Sequence, residues 1–209
     1  MKAKSFNSKR LTSSNMNEYL EALYPQSRKR AIKSKSLKMK SFLQNDFGLS
    51  NDCTLTSIMT CLVYHSGNRL DPNVVYGIVE KYAKNYGYTG TKGTNPLVIK
   101  RIYDASAYEL RLNSIVPTST GYLKNVGYNY EKICELIGKN IPIIISINND
   151  GRNYYRNHSM TIMGYITYRL TLSSGKNVLR KFLRVYDNWY DTISYIDYET
   201  LSYISSINY

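Results

Sequence analysis

Histidine, cysteine and long apolar runs are scarce in this sequence. The 209 residues include two His, three Cys and one Trp. No apolar run reaches the roughly 18 residues that a membrane-spanning helix needs, and the N-terminus carries no hydrophobic signal-peptide segment. We therefore expect a soluble domain with no membrane span, and the sequence leaves open whether the protein acts inside the cell, at its surface or as a secreted protein.

The cysteines are too few and too poorly spaced for a disulfide framework or a zinc site. Cys53 and Cys61 fall on one predicted helix and Cys134 on another. An odd number leaves at least one thiol free in a monomer. A zinc site from the three cysteines and His158 is conceivable, but no pair among them has the spacing of metal ligands. We expect no metal and no cofactor.

Acidic residues are also scarce, since 28 Lys and Arg face 15 Asp and Glu. The first 40 residues hold eleven of the basic residues against two Glu, so most of the surplus lies there. No recognised nucleic-acid motif accompanies the charge, and we expect no nucleic-acid partner. We divide the chain into a basic leader, 1–40, and a domain, 41–209. Residues 1–15 are expected to be mobile and 28–40 a solvated linker. The alternatives for 28–40 are a propeptide-like arm over the active site and a patch that attracts anionic surfaces.

The residues after Cys53 have the periodicity of a buried helix. Leu55, Ile58, Met59, Leu62 and Val63 follow the i, i+3, i+4, i+7, i+8 pattern. Asn51 or Asp52 can cap its start and Gly67 can end it. Cys53 then lies in the first turn, where the helix dipole favours a thiolate. Taken alone, a half-buried cysteine is more often a packing residue.

Helical periodicity dominates the first part of the chain and strand patterns the last part. Helices are predicted at about 16–24, 53–66, 71–87, 95–104 and 128–138, and strands at about 141–147, 158–172, 178–187 and 192–198. This order predicts an α+β fold with an N-terminal helical lobe and a C-terminal antiparallel sheet lobe. The cleft between two such lobes is the expected binding site.

The sequence offers two histidines as candidates for a catalytic base. His65 is twelve residues from Cys53 on the same helix, roughly 18 Å away, and cannot reach its sulfur. His158 begins a strand in the other lobe, and Asp187 ends a neighbouring one. A thiol nucleophile, a base and an orienting acceptor are the components of a cysteine-based triad. Strand alternation favours Asp187 over Asn188 as the acceptor.

Four segments resemble the papain-like cysteine peptidases, and specifically their C39-like branch. They are 51–53 (Asn-Asp-Cys), 138–144, 157–165 (beginning Asn-His-Ser) and 185–189 (Val-Tyr-Asp-Asn-Trp). The resemblance covers about residues 42–198. It implies the papain-like fold, with Cys53 as nucleophile, His158 as general base and Asp187 as orienting residue.

The resemblance also implies an oxyanion hole and a substrate cleft. Gln44 is the candidate oxyanion donor, together with the Cys53 N–H, and Asn45 or Asn51 are alternatives. The possible cleft-lining residues are Tyr154, Tyr155, Asn188 and Trp189. Two features depart from the family: Thr54-Leu55 replaces the usual Gly-Pro after the cysteine, and Gln44 lies further from Cys53 than usual.

The expected function is hydrolysis of a peptide or amide bond, and the substrate a peptide or protein. A His158 imidazolium is expected to hold Cys53 as a thiolate despite the neighbouring Asp52. The alternatives are an amidase or acyltransferase acting on a non-protein substrate, and an inactive peptidase-like binding module. We expect a monomer.

Overall fold

The computed structural model describes residues 9–48, 51–112, 122–124, 130–147, 154–201 and 206–208, with the backbone alone at 122–124 and 206–208. Over these residues the chain forms five α-helices and a seven-stranded sheet. The helices are α1 (Met16–Leu23), α2 (Cys53–His65), α3 (Pro72–Asn85), α4 (Ile99–Glu109) and α5 (Tyr130–Gly138). The strands are β1 (Arg28–Ser36), β2 (Tyr122–Lys124), β3 (Ile143–Ile147), β4 (His158–Thr171), β5 (Asn177–Tyr186), β6 (Ser194–Asp197) and β7 (Ser206–Asn208).

The sheet is antiparallel and runs in the order β2-β7-β3-β4-β5-β6. β3 pairs with the first residues of β4, and β1 pairs with β4 from Gly164 onward. This architecture confirms the predicted α+β class. No helix among the described residues is both long and apolar enough to cross a bilayer.

Strand β3 separates two hydrophobic clusters, which explains its mainly apolar sequence. Ile143, Ile145 and Ile147 pack in a cluster that includes α5, whereas Ile144 packs with α2, α3 and α4. All five residues of the strand are buried. A strand covered on both faces needs apolar side chains at successive positions, as the sequence predicted.

Helix α2 is buried on every side over most of its length. The predicted apolar stripe is present, but Thr54, Thr56, Ser57 and Thr60 on the other faces are buried as well. Two of these hydroxyls bond to the helix backbone: Ser57 Oγ donates to Cys53 O at 2.8 Å and Thr60 Oγ1 to Thr56 O at 2.7 Å. Small hydroxyl side chains satisfied in this way let the sheet and α3 pack closely around the helix.

The predicted helices are present, with one difference in length. Asp71 caps α3 by accepting from the Asn73 N–H, and Pro72 opens the helix as predicted. The helix predicted at 95–104 begins with a 3-10 turn, Pro96–Val98, and continues as α4 to Glu109. Its added turn buries Ser106 and Ala107.

The leader is part of the sheet, and this corrects the expected linker. Arg28–Ser36 forms β1, in register with β4 from Arg28↔Thr171 to Ser36↔Gly164. A Cβ at Gly164 would lie 2.4 Å from Lys35 O, so only glycine allows this close approach. Most side chains of β1 face solvent, and its sequence alternates basic and small residues. It therefore lacks the apolar pattern by which a strand is predicted.

The leader's first residues are partly ordered as well. Mobility was expected for residues 1–15, of which 1–8 lie outside the described part. Leu11 forms a β-bridge with Tyr195. The helix that follows, α1, packs on β4 and β5. The domain boundary at residue 40 stays a prediction.

Candidate active site

Cys53 begins α2 and its side chain is half-buried. The main-chain N–H of Ser159, on β4, donates to Cys53 Sγ at 3.4 Å. The Cys53 carbonyl accepts from Ser57 Oγ and, at 3.0 Å, from Asn188 Nδ2. The sulfur is therefore held between the start of α2 and the start of β4, where the two lobes meet.

His158 is the first residue of β4 and is 4% exposed. Its Nε2 lies 2.6 Å from the main-chain oxygen of Asp187. A carbonyl oxygen can only accept, so Nε2 carries the proton and, in the neutral ring, Nδ1 is free to act as a base. The contact fixes the tautomer that general-base chemistry requires.

Asp187 follows the last residue of β5 and is fully buried. It was predicted to orient His158, and the contact is made by its main-chain oxygen rather than by its carboxylate. Oδ2 accepts from Arg10 Nε at 2.7 Å, from Tyr155 OH at 2.9 Å and from Ser194 Oγ at 2.5 Å.

The other oxygen of Asp187 serves the turn that follows it. Oδ1 accepts from the main-chain N–H groups of Trp189 and Tyr190 at 3.2 and 3.1 Å. Burial raises the pKa of the Asp187 carboxyl, but the bonds from Ser194, Arg10 and Tyr155 outweigh it, and the pKa is lowered overall. The ionised carboxylate thus shapes the turn, and the turn presents the carbonyl to His158.

Asn188 joins the two lobes from within. It is fully buried at a positive φ of 61°, and its Nδ2 lies 3.0 Å from Cys53 O, 2.9 Å from Ser57 Oγ and 3.0 Å from Ser159 O. The sequence suggested a place in the cleft wall. In the structure Asn188 is a clamp between α2 and β4, and its place in the cleft wall stays a prediction.

Burial sets the protonation of the central pair. It raises the pKa of the Cys53 thiol, and bonds from Ser159 N–H and from Thr54 lower it only in part. Burial also lowers the pKa of His158 to about 4, against the raising effect of Asp187. Burial thus favours the neutral forms of both the Cys53 thiol and the His158 imidazole.

Asp52, next to Cys53, is likewise affected by burial. It is fully buried, and Tyr76 OH donates to its Oδ2 at 2.6 Å. Burial raises the pKa of the Asp52 carboxyl, which the Tyr76 hydrogen bond lowers only in part. Its remaining charge raises the Cys53 pKa, though less than burial does.

Cys53 and His158 line one cavity of about 310 Å³ between the lobes. Its other walls come from the start of α2, the loop before α4 and the sheet: Asn51, Thr54, Gly93, Thr94, Pro96, Ser146, Ile147, Asn157 and Ser159. Thr54 Oγ1 donates to Ser159 Oγ at 2.8 Å, and Ser146 Oγ lies 2.9 Å from the same hydroxyl. The cavity wall nearest the sulfur is therefore polar.

Sequence reasoning missed most of this wall. Ser146 and Ser159 could have been found, since they pair across β3 and β4 in register. The loop from Gly87 to Thr94 contributes Gly93 and Thr94 to the wall. Asn51 Nδ2 donates to Gly90 O at 3.0 Å, which ties this loop to the start of α2.

Gln44 begins a 3-10 turn, Gln44–Phe47, and its N–H donates to Asn188 O at 2.9 Å. Asn188 Nδ2 in turn donates to Cys53 O, so Asn188 connects Gln44 to the cysteine by hydrogen bonds. Its Oε1 is buried with no partner among the described residues. Gln44 is outside the set that lines the cavity, and its role as oxyanion donor stays a prediction.

The predicted aromatic residues cluster around His158. Trp189 stacks on the imidazole with ring centroids 4.0 Å apart, and the Tyr155 ring lies 5.8 Å from it. Tyr154 packs edge-on against both Tyr155 and Trp189. Burial lowers the pKa of His158, and these rings cover part of the imidazole.

Comparison with known proteins agrees with the motifs. The model of the Peptidase_C39 like family matches residues 36–202, which is most of the chain. No curated protein matches the sequence of this chain. Among the described residues, no group of three or more His, Cys, Asp or Glu is placed to hold a metal ion.

Proposed function

This chain belongs to the Peptidase_C39 like family, and we propose that it is a cysteine peptidase that cleaves peptide bonds with Cys53 as nucleophile and His158 as general base. Family membership indicates cysteine peptidase chemistry in general. One observation supports the finer assignment: Cys53 and His158 line the same cavity, and the Nε2–H bond to Asp187 O leaves Nδ1 as the proton acceptor.

The proposed reaction starts from the neutral pair. As Sγ of Cys53 attacks the substrate carbonyl carbon, its proton passes to Nδ1 of His158. The Cys53 N–H, with Gln44 as the proposed second donor, stabilises the oxyanion. His158 then gives the proton to the leaving amine, and the C–N bond breaks to leave a thioester. Water, deprotonated by His158, hydrolyses the thioester and regenerates the thiol.

Asp187 is proposed to orient His158 through its main-chain carbonyl. The Nε2–H bond to that carbonyl can persist while Nδ1 gains and loses the proton. The positive charge that forms on the imidazole lies near the Asp187 carboxylate. The negative charge of that carboxylate raises the pKa of His158. The carboxylate thereby stabilises the imidazolium at a distance.

The test is hydrolysis of a fluorogenic peptide library by the intact chain, with Cys53→Ala and His158→Ala as variants. We expect both variants to lose activity by at least about 10³-fold. Cys61→Ala is the matched control, since Cys61 is a free and buried cysteine on the same helix. Cys61→Ala should keep activity within a few-fold.

A mechanism-based label checks the site without knowledge of the substrate. A peptidyl acyloxymethyl ketone should label Cys53 in the intact chain and not in His158→Ala. The raised pKa of the Cys53 thiol favours one alternative, an inactive binding module. That alternative would be supported by equal, slow labelling of Cys53 in both proteins together with no hydrolysis of any peptide.

A further inference from the structure

Arg10, from the leader, reaches the turn that follows β5. Its Nε donates to Asp187 Oδ2 at 2.7 Å, and its Nη2 donates to Thr192 O at 2.7 Å and to Thr192 Oγ1 at 3.0 Å. The guanidinium also lies over the Tyr190 ring, 4.3 Å from its centroid. One side chain thus contacts three residues of the segment from Asp187 to Thr192.

The segment that Arg10 contacts also holds His158. The Asp187 main-chain oxygen accepts from Nε2 of the imidazole, and Trp189 stacks on the ring. The Asp187 carboxylate is fully buried, and Arg10 supplies the cation in contact with it. A buried carboxylate without a counter-charge is costly, so loss of Arg10 should change the turn or protonate the carboxyl.

The leader backbone fixes where the Arg10 side chain begins. The Tyr195 N–H donates to Leu11 O at 2.8 Å, so Arg10 lies beside the start of β6. Asn15 also bonds to both sides of this segment: its Nδ2 donates to Arg10 O, and its Oδ1 accepts from the Thr12 N–H. The Arg10 side chain is 15% exposed and therefore sheltered from water.

We propose that Arg10 is a positioning residue of the active site, which holds the Asp187–Thr192 turn so that the Asp187 carbonyl and Trp189 fix His158. The proposal rests on the function proposed above. Arg10 lies outside the residues that match the family model. The leader is then a working part of the site, and its loss inactivates the protein where loss of a propeptide would activate it.

The test uses the full chain with Arg10→Gln and Arg10→Lys. Arg10→Gln should lower kcat at least about ten-fold with little change in KM, since a small displacement of a catalytic group is enough for such a loss. Arg10→Lys restores the charge but not the forked contacts to Asp187 and Thr192, and should recover only part of the rate.

Arg180→Gln is the matched control. Arg180 bonds to buried Asp197 through Nε at 2.8 Å and is 14% exposed, much like Arg10. It pairs with Tyr168, ten residues along β4 from His158, which is roughly 30 Å in an extended strand. Activities are compared at temperatures equally far below each variant's Tm, where Arg180→Gln should keep its kcat.

A second readout does not depend on activity. Trp189 is the chain's only tryptophan and stacks on His158, so its fluorescence reports protonation of the imidazole. The midpoint in the intact chain should lie near the His158 pKa of about 4. Arg10→Gln should move it by at least about half a pH unit, and Arg180→Gln should leave it in place.

The outcomes separate the two proposals. A shifted Trp189 midpoint in Arg10→Gln supports the positioning role even if no peptide is cleaved, in which case only the peptidase proposal fails. Equal losses of kcat in Arg10→Gln and Arg180→Gln, with an unchanged midpoint, would show that Arg10 only stabilises the fold and would overturn the inference.

Discussion

Two sheltered Arg–Asp pairs lie at the sheet lobe, Arg10–Asp187 between the leader and the turn after β5 and Arg180–Asp197 between β5 and β6. The pKa values of their carboxyl groups are shifted in opposite directions. Burial raises the pKa of Asp197, and Arg180 and Tyr19 lower it only in part. Burial also acts on Asp187, but hydrogen bonds from Ser194, Arg10 and Tyr155 prevail and its pKa is lowered. At Asp187 the hydrogen bonds and the nearby guanidinium together outweigh burial, whereas at Asp197 burial outweighs them.

The two pairs also differ in what surrounds them. Asp197 accepts from Tyr19 OH at 2.5 Å and from the Glu199 N–H, so it connects α1 to β6 and the turn after it. Asp187 is one residue from the clamp Asn188 and bonds through its backbone to His158. Only the Asp187 pair is therefore expected to influence chemistry as well as stability.

The largest expected difference is in activity after removal of each carboxylate. Asp187→Ala should lower kcat/KM about 100-fold, because the turn loses its anchors although the carbonyl to His158 remains. Asp197→Ala, measured at an equal distance below its Tm, should stay within about three-fold of the intact chain. Similar losses in the two variants would remove the functional distinction between the pairs.

Asparagine at the same position makes the comparison sharper. In a triad whose carboxylate contacts the histidine, Asp→Asn costs about 10⁴-fold. Here the carbonyl makes that contact, so Asp187→Asn should lose only about ten-fold in kcat/KM. A 10⁴-fold loss without unfolding would mean that the carboxylate itself orients His158 during turnover.

Stability should fall by similar amounts at the two sites. Asp187→Ala and Asp197→Ala each leave a guanidinium, a tyrosine hydroxyl and at least one main-chain N–H without the carboxylate acceptor. We expect each to lower the free energy of unfolding by about 3 kcal/mol in urea titrations at pH 7. A loss below about 1 kcal/mol at either site would indicate that water replaces the carboxylate there.

The smallest predicted effect is a pH dependence of opposite sign. The lowered pKa of Asp187 stabilises the fold above the unfolded-state pKa of about 3.9, and this contribution is lost as the pH falls through the folded-state pKa. The raised pKa of Asp197 penalises the ionised fold as the pH rises above about 3.9. Asp187→Asn should therefore cost more at pH 7 than at pH 3, and Asp197→Asn less.

Urea titrations at both pH values, with each variant compared with the intact chain, check the sign. The expected change in the cost of the substitution between the two pH values has opposite sign at the two sites. Parallel pH dependence in the two variants would contradict the opposite directions of their pKa values.

Much of the fold and the central pair could be predicted from sequence, because both depend on local patterns. The period of α2 placed Cys53 at a helix start, and the apolar run of β3 identified a central strand. Which atom of Asp187 contacts His158 could not be predicted, since it depends on how the turn after β5 is hydrogen-bonded. The low pKa of His158 could not be predicted either, because it results from burial in the folded chain.

Arg10 and β1 were the least predictable parts. Nothing in the spacing around Arg10 points to Asp187, which is 177 residues away in sequence. β1 lacks the alternation of a half-buried strand, because one sheet neighbour and its backbone bonds hold it in place. Contacts of this kind arise from the assembled fold and leave no local pattern.

The basic character of β1 has a consequence for how copies of the protein meet. Within the described residues β1 pairs with β4 alone, so its other side presents backbone groups that could pair with a strand of a second molecule. Exposed Arg28 and Arg30 lie along it. Two such edges repel each other within a Debye length, about 8 Å at physiological ionic strength, so the leader's charge opposes self-association, and concentrated salt would remove that protection.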